Sequence, residues 1–132
     1  MAPLTFKNAD EAGLRGIPLD PDWERYFYFE DMGVLNILTA RRGTRLVGWV
    51  VLFVWPHIDA RTVPFADVKT IWLDKQFREG VLGMKLLKRA VDDMEARGVR
   101  MTHVAAKDER FGRVLERLGF EPVETIYSRL KA

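Results

Sequence analysis

The hydrophobic period of the sequence changes after Leu73, and this change constrains the fold more than any other feature. Before it, apolar residues form the short runs and alternations of strands, the longest being Val47–Pro56, broken only by Gly48. After it, Val81–Arg97 carries an apolar stripe at helical spacing. The stripe consists of Leu82, Leu86, Ala90 and Met94. Hairpin strands in the first part and helical crossovers in the second predict an α/β chain with helices packed on a mixed sheet.

The predicted elements follow the order helix, three strands, helix, strand, helix, strand. Helices are predicted at Pro21–Asp31, capped by Asp20, at Val81–Arg97 and at Asp108–Leu118. Strands are predicted at Val34–Ala40, Arg45–Val54, Ala66–Leu73, Val99–Ala106 and Val123–Leu130. The segment Trp55–Pro64, with its two prolines, is predicted as a loop, and Met1–Leu19 is weakly patterned.

Composition favours one globular domain, residues 1–132, and excludes several classes of function. Hydrophobic residues make up 48% of the chain, as in a folded domain. The 21 basic and 19 acidic residues leave a net charge of +2, which is too small to indicate nucleic-acid or membrane-surface binding. The absence of cysteine excludes disulfides and thiolate metal sites and favours a cytoplasmic location. No apolar run reaches the roughly 20 residues that cross a bilayer.

The segment Gln76–Met84 joins a predicted strand to the longest predicted helix. A helix N-terminus offers unpaired backbone N–H groups and the positive end of a dipole, which suit a phosphate. Gly80 and Gly83 allow close approach of the backbone, and Arg78 adds a positive charge. The segment is not a Walker-type loop, because it lacks Gly-Lys-Ser/Thr. It is interpreted as a phosphate-binding turn, with an ordinary strand-to-helix connection as the alternative.

Two stretches carry a resemblance to a known family. The first, IWLDKQFREGVLGMKLLKRAVDDMEARGV, resembles the central strand, loop and helix of the GNAT acetyltransferases, and the second, DERFGRVLERLGFEPVETIYSRL, resembles their closing helix, Leu-Gly-Phe turn and last strand. The resemblance covers roughly Asp20–Leu130. It is strongest to variants of phage and prophage genes, which share the Pro18–Pro21 stretch and the Pro56-His57 pair.

The resemblance implies a GNAT-like fold, with a mixed, mostly antiparallel twisted sheet of about six strands flanked by three to four helices. It implies an enzyme that transfers an acetyl group from acetyl-CoA directly to an amine. No covalent enzyme intermediate forms, in agreement with the lack of cysteine. The acceptor is a small molecule or a protein and is not identified, and no metal is implied.

The resemblance also places the co-substrate. Backbone groups of Ile71, Trp72 and Leu73 are expected to pair with the pantetheine arm. The pyrophosphate is expected at the backbone of Arg78, Glu79, Gly80, Val81, Leu82, Gly83 and Met84. The glycines depart from the family pattern, because Val81 takes the middle glycine position and Gly80 comes one residue early.

The catalytic residues are the least determined. Asp67, the only acidic residue inside its predicted strand, is the first candidate for the general base, and His57 is the second, since an imidazole suits proton transfer near neutral pH. Leu115 stands where many members of the family carry a tyrosine that acts as general acid, so Tyr127 and Ser128 on the last predicted strand are the candidates for that role. The alternatives are a solvated aspartate, an inconsequential loop histidine and a core tyrosine. His103 is predicted to be a packed or surface residue.

Two further interpretations stay open. The replaced tyrosine and the shifted glycine leave room for a GNAT-fold module that binds acyl-CoA, or a protein partner, without transfer. A nucleic-acid-associated function is disfavoured by the small net charge. Exposed aromatic residues of the first helix and the last strand indicate a possible homodimer.

Overall fold

The computed structural model describes residues 17–18 and 20–131. The predicted weakly patterned segment Met1–Leu19 therefore lies outside the described residues, apart from Ile17 and Pro18. The described elements are α1 (Trp23–Asp31), β1 (Leu35–Arg42), β2 (Arg45–His57), β3 (Ala60–Leu73), a short 3-10 helix (Lys75–Phe77), α2 (Leu82–Ala96), β4 (Met101–His103) and α3 (Glu109–Arg117).

The described strands form one sheet in the order β1-β2-β3-β4. β1, β2 and β3 are antiparallel neighbours, whereas β4 runs parallel to β3. A mixed, mostly antiparallel sheet is therefore confirmed, and the three described α-helices lie within the predicted range. The predicted number of about six strands is not matched, because the described part of the chain contains four. β4 is also shorter than the predicted Val99–Ala106.

The predicted loop Trp55–Pro64 is wrong, because β2 and β3 continue through it as a hairpin. Pro56 lies opposite Pro64, and the strands join after His57. β1 pairs with β2 no further than Phe53, so Pro56 lies where β2 has one neighbouring strand. A proline there leaves no ladder donor missing on the outer side. The two prolines predicted a break in the strands, but at these positions the missing N–H groups do not interrupt the pairing with β1.

The predicted last strand, Val123–Leu130, is also wrong for the described structure. The chain leaves α3 through Gly119 at φ 93°, and the Phe120 N–H donates to the Leu115 carbonyl at 3.0 Å. From Glu121 to Lys131 every residue is exposed and has no strand assignment. β-branched and aromatic residues favour a strand but do not supply a neighbouring strand to pair with.

The sheet separates two apolar layers. Along β2, Val50 and Leu52 face the first layer, where α2 and α3 contribute Leu87 and Leu115. Trp49 and Val51 point to the opposite side, where α1 packs through Tyr26 and Phe29. This alternation follows from the two-residue period of a strand and makes β2 the buried centre of the domain.

The first helix begins two residues later than predicted. Asp22 rather than Asp20 is its N-cap, and the Asp22 carboxylate accepts the Arg25 N–H at 3.1 Å. Asp20 and Pro21 precede the cap. This cap supplies a partner to one of the N–H groups that the first turn of α1 leaves without one in the helix.

Candidate active site

β3 and β4 pair over three residues and then separate. The paired positions are Phe65 with Met101, Ala66 with Thr102, and Asp67 with His103. Beyond them β3 changes its register on β2: Val68 faces Leu52 and Thr70 faces Val51, so Lys69 is an extra residue. An extra residue of this kind bends a strand and increases its twist. The bend at Lys69 accounts for the opening between the two parallel strands.

The opening is a cleft of about 1020 Å³. One wall is Val68–Leu73 of β3, the end is the turn from Arg78 to Met84, and the other wall is Val104, Ala105 and one side of α3. Its volume is that of a site for a cofactor-sized molecule. All ten residues that the sequence predicted for co-substrate binding except Leu82 line this cleft.

The β3 wall presents an open strand edge. Leu73, Trp72 and Ile71 pair with β2 on one side, whereas β4 ends its pairing at Asp67 on the other. Backbone groups on that side face the cleft and require hydrogen-bond partners. The Trp72 Nε1 is buried and has no hydrogen-bond partner among the described residues. The wall therefore suits a ligand that carries amide groups of its own.

The turn at the end of the cleft is fixed by an arginine. The Arg78 Nε donates to the Leu73 carbonyl at 2.7 Å, which ties the 3-10 helix to the end of β3. α2 then begins after Val81, and no side chain caps its first N–H groups. Uncapped N–H groups at the start of a 15-residue helix form a positive end directed at the cleft.

The two glycines of the turn have different roles. A Cβ on Gly83 would lie 2.7 Å from the Leu73 Cδ1, so this glycine allows α2 to pack closely on the end of β3. A Cβ on Gly80 would meet nothing within 4 Å, and its φ is not positive. The interpretation of Gly80 as a residue required for backbone geometry has no support in its surroundings.

The charges around the cleft are mainly positive. Its lining contains six basic residues against two acidic ones, Glu79 and Asp108. The basic residues are Lys69, Arg78, Lys107, Arg110, Arg113 and Arg117. Asp108 is the N-cap of α3, where its carboxylate accepts the Phe111 N–H at 2.8 Å. The net positive lining favours a polyanionic ligand.

A carboxylate and an imidazole meet where the strands part. The His103 Nδ1 lies 3.5 Å from the Asp67 Oδ1, and the two side chains are 42% and 43% exposed. Ala66 and Val68 belong to the layer of α2 and α3, so Asp67 lies on the α1 side of the sheet. The pair is open to solvent and adjoins the first residue of the cleft wall.

Phe65 lies between this pair and His57, the second predicted base. The His57 Nδ1 accepts the Asp59 N–H at 3.0 Å, and its ring packs on Phe65 at 4.6 Å between centroids. Phe65 lies in turn 6.0 Å from the His103 ring. Tyr127 is 90% exposed on the C-terminal segment. Leu115, at the position of the family's tyrosine, is 6% exposed and packs in the core.

His103 is the residue that sequence reasoning missed as a functional candidate. A usable signal was present, because side chains at equivalent ends of neighbouring parallel strands lie side by side. The residue pattern does not reveal that β3 and β4 are neighbours, so the sequence alone does not connect Asp67 with His103.

A family model decides what kind of chain this is. The model of the acetyltransferase (GNAT) family matches residues 7–120, which include β3, the turn and α2. The chain belongs to the GNAT acetyltransferase family. The match ends at Phe120, before the exposed residues that follow α3.

Solved structures show the GNAT fold as well. An aminoglycoside acetyltransferase from an uncultured soil metagenomic sample, in complex with sisomicin, is 19% identical with a TM-score of 0.71, over 97% of this chain and 85% of that one. Glucosamine-6-phosphate N-acetyltransferase from Arabidopsis thaliana is 15% identical with a TM-score of 0.73, over 94% and 86%. A predicted acetyltransferase with acetyl-CoA from Clostridium acetobutylicum is 14% identical with a TM-score of 0.72, over 97% and 86%.

No curated protein sequence is similar enough to this GNAT chain to count as a relative. Within residues 17–18 and 20–131, no helix has the length and apolar content needed to cross a membrane. The same residues contain no group of three or more histidine, cysteine, aspartate or glutamate side chains arranged to hold a metal ion.

Proposed function

We propose that this GNAT protein is an N-acetyltransferase that transfers the acetyl group of acetyl-CoA to an amine. The observation that carries the proposal is the continuity of the cleft: the open edge of β3 leads directly to the uncapped start of α2. A long co-substrate matches these two adjoining surfaces, with its amides along the open edge of β3 and its phosphates at the start of α2.

The residues of the cleft fit acetyl-CoA in three parts. The edge of Ile71, Trp72 and Leu73 that faces away from β2 suits the amides of the pantetheine arm, apart from the Leu73 carbonyl, which already accepts the Arg78 Nε. The N–H groups from Arg78 to Met84 suit the pyrophosphate. The basic side of α3, with Arg110 and Arg117, suits the remaining phosphate of the nucleotide.

The proton chemistry is assigned to the Asp67 and His103 pair. Acetyl-CoA supplies a thioester, and an amine must lose its proton to attack the thioester carbonyl. A side chain at hydrogen-bond reach of the amine supplies the base. The His103 imidazole accepts that proton and the Asp67 carboxylate, 3.5 Å from its Nδ1, orients the ring and stabilises the resulting positive charge. His57 remains the second candidate for the base.

The new C–N bond forms as the C–S bond breaks, and the leaving thiolate takes up a proton. Leu115 cannot give that proton, because it is apolar and buried in the core. The role of Tyr127 as the acid stays a prediction, and a water molecule serves equally well in a cleft open to solvent.

A thiol-release assay tests the proposal. Acetyl-CoA is supplied with a panel of amines that includes aminoglycosides, glucosamine 6-phosphate and peptides with free N-termini, because acetyltransferases of the first two kinds share the fold. We expect thiol release that depends on one class of amine and on Asp67. No release above the rate with buffer alone, for any amine, would contradict transferase activity.

A second candidate function is a GNAT-fold module that binds acyl-CoA without transferring the acyl group. The burial of Leu115 at the position of the family's acid favours it. The two candidates differ in one result: both predict acetyl-CoA binding, but only the transferase releases the thiol. Phage origin, cytoplasmic location and a homodimeric state stay predictions.

A further inference from the structure

The α1 side of the sheet carries a row of large apolar side chains next to the Asp67 and His103 pair. Trp55, Phe65 and Met101 lie opposite one another on β2, β3 and β4, so their side chains share one face of the sheet. Trp55 is 40% exposed and Met101 47%. These three residues are here called the apolar row. An exposed apolar surface beside a proposed catalytic pair suits the apolar part of a substrate.

The rings of the row are supported by their neighbours. Phe29 of α1 packs edge-on against Phe53 at 6.0 Å between ring centroids, and Phe53 lies 5.6 Å from the Trp55 ring. His57 packs on Phe65 at 4.6 Å from the other end of the face. Rings that are already held by neighbours lose little conformational freedom when a ligand packs on them.

A carboxylate lies at a fixed separation from the row. Asp67 follows Phe65 by two residues on β3 and shares its face, and two residues of a strand span about 7 Å. The exposed Asp67 carboxylate attracts an ammonium group. Apart from the Trp55 indole N–H, the row carries no polar side-chain group. It therefore suits an aromatic ring better than a sugar, whose hydroxyl groups need polar partners.

We propose that the acceptor is a primary amine with an aromatic ring on a chain of two or three carbons. The ring packs on the apolar row, and the ammonium group lies at Asp67 and His103. The cleft assigned to acetyl-CoA begins at the next residue, Val68, so the nitrogen lies beside the donor. The proposal rests on the proposed acetyl transfer and names the class of amine that the same site takes.

Acetylation changes the charge that Asp67 recognises. One proton of the ammonium group passes to the His103 imidazole, and the free amine attacks the thioester carbonyl. The C–N bond forms, the C–S bond breaks, the nitrogen loses its second proton to water and the thiolate takes up a proton. The product is a neutral amide, which has lost its attraction to Asp67, so the ring alone holds it at the site.

Thiol release with matched amines tests the substrate class. The full chain is supplied with acetyl-CoA and either 2-phenylethylamine or propylamine, which lacks the ring. We expect kcat/KM to be at least about tenfold higher for 2-phenylethylamine, because its ring adds aromatic contacts and buried apolar area. Equal values for the two amines would overturn the proposal, and so would a higher value for glucosamine 6-phosphate or an aminoglycoside.

Substitution of Trp55 separates ring binding from the chemical step. Trp55→Leu is expected to raise KM for 2-phenylethylamine by about two- to tenfold with little change in kcat, whereas Trp55→Phe keeps a ring and restores most of the loss. Phe27→Leu is the matched control, because Phe27 is 54% exposed on α1. A KM that is unchanged in Trp55→Leu, or raised equally in Phe27→Leu, would overturn the role of the row.

A binding measurement without turnover distinguishes this proposal from acetyl transfer itself. The chain is labelled at its methionine methyl groups, saturated with CoA and titrated with 2-phenylethylamine, and the Met101 signal is identified with Met101→Leu. We expect the ring to shift the Met101 methyl resonance and to leave that of Met32, exposed at the end of α1, in place. A shift at Met101 without thiol release from any amine would refute transfer but retain the aromatic amine site. An unshifted Met101 signal would overturn the site.

Discussion

Asp67 and His103 are the last paired residues of β3 and β4, and their side chains lie 3.5 Å apart where the two strands separate. The cleft begins with the next residue of each strand. One register position therefore combines a carboxylate, an imidazole and the entry to a large basic cleft. This relationship links the shape of the sheet to the proposed proton chemistry.

Removing the Asp67 charge is expected to slow turnover rather than weaken donor binding. Asp67→Asn keeps the size of the side chain but leaves His103 without its carboxylate. We expect turnover to fall by about 10²–10⁴-fold if the pair provides the general base. Calorimetry with acetyl-CoA should give an affinity close to that of the natural chain. An Asp67→Asn variant with unchanged turnover would refute the assignment.

His103 and His57 can be separated by their own substitutions. His103→Gln removes the base beside Asp67, whereas His57→Gln changes a ring that packs on Phe65 and accepts the Asp59 N–H. We expect His103→Gln to lower turnover by more than His57→Gln and to alter the pH dependence of the rate. A larger effect of His57→Gln in both measurements would identify His57 as the base.

The basic side of α3 is expected to recognise the nucleotide phosphate. Arg110→Ala and Arg117→Ala should each weaken acetyl-CoA binding by about two- to fivefold, as for charges exposed to solvent, and the loss should shrink at high salt. The natural chain should bind dephospho-CoA more weakly than CoA, and this difference in affinity should be smaller in the two variants. Arg89→Ala is the control, because the Arg89 side chain pairs with Asp93 on the exposed face of α2. An equal loss in Arg89→Ala would show that the effect is only one of net charge.

Gly83 and Gly80 should respond differently to a methyl group. Gly83→Ala places a Cβ against the Leu73 Cδ1, so either the leucine or the start of α2 must move. We expect a several-fold loss of donor affinity, because both elements line the cleft. Gly80→Ala meets nothing within 4 Å and should bind acetyl-CoA normally. Equal affinities of the two variants would remove the packing role of Gly83.

Gly48 is expected to be the glycine most important for stability. A Cβ there would lie 2.9 Å from the Trp72 carbonyl oxygen and 2.7 Å from the Leu73 Cδ2, and the backbone oxygen cannot move aside. Gly48→Ala should lower the free energy of unfolding by about 1–3 kcal/mol. Gly112→Ala, in an uncrowded position of α3, should raise it by about 0.5–1 kcal/mol. Denaturant titration checks both, and a stabilised Gly48→Ala variant would contradict the packing at this point.

The sequence predicted best the elements whose pattern is repeated locally. The apolar stripe of α2 needs only helical spacing, and Leu86, Ala90 and Met94 are buried as expected. The long apolar run around Val50 gave the central strand for the same reason. The order of these elements then led to a mixed sheet.

Features that depend on distant parts of the chain were missed. The prolines of the β2–β3 hairpin led to the prediction of a loop. A strand accommodates them there because β1 ends before it reaches Pro56, and the residue pattern does not show where β1 ends. The segment Val123–Leu130 was predicted as a strand from its residue types, which carry no information about whether a neighbouring strand is present. The pairing of His103 with Asp67 required knowledge that β3 and β4 are neighbours. The different roles of Gly83 and Gly80 could not be predicted for the same reason: the residue type is identical, and only the surroundings in the fold differ.

Calorimetric titration of acetyl-CoA into the natural chain is the direct test of whether the cleft between β3 and β4 is an acyl-CoA site. We expect saturable binding of one acetyl-CoA per chain, with a dissociation constant in the micromolar range that rises in Gly83→Ala and is unchanged in Gly80→Ala. Absence of saturable binding up to millimolar acetyl-CoA would contradict it.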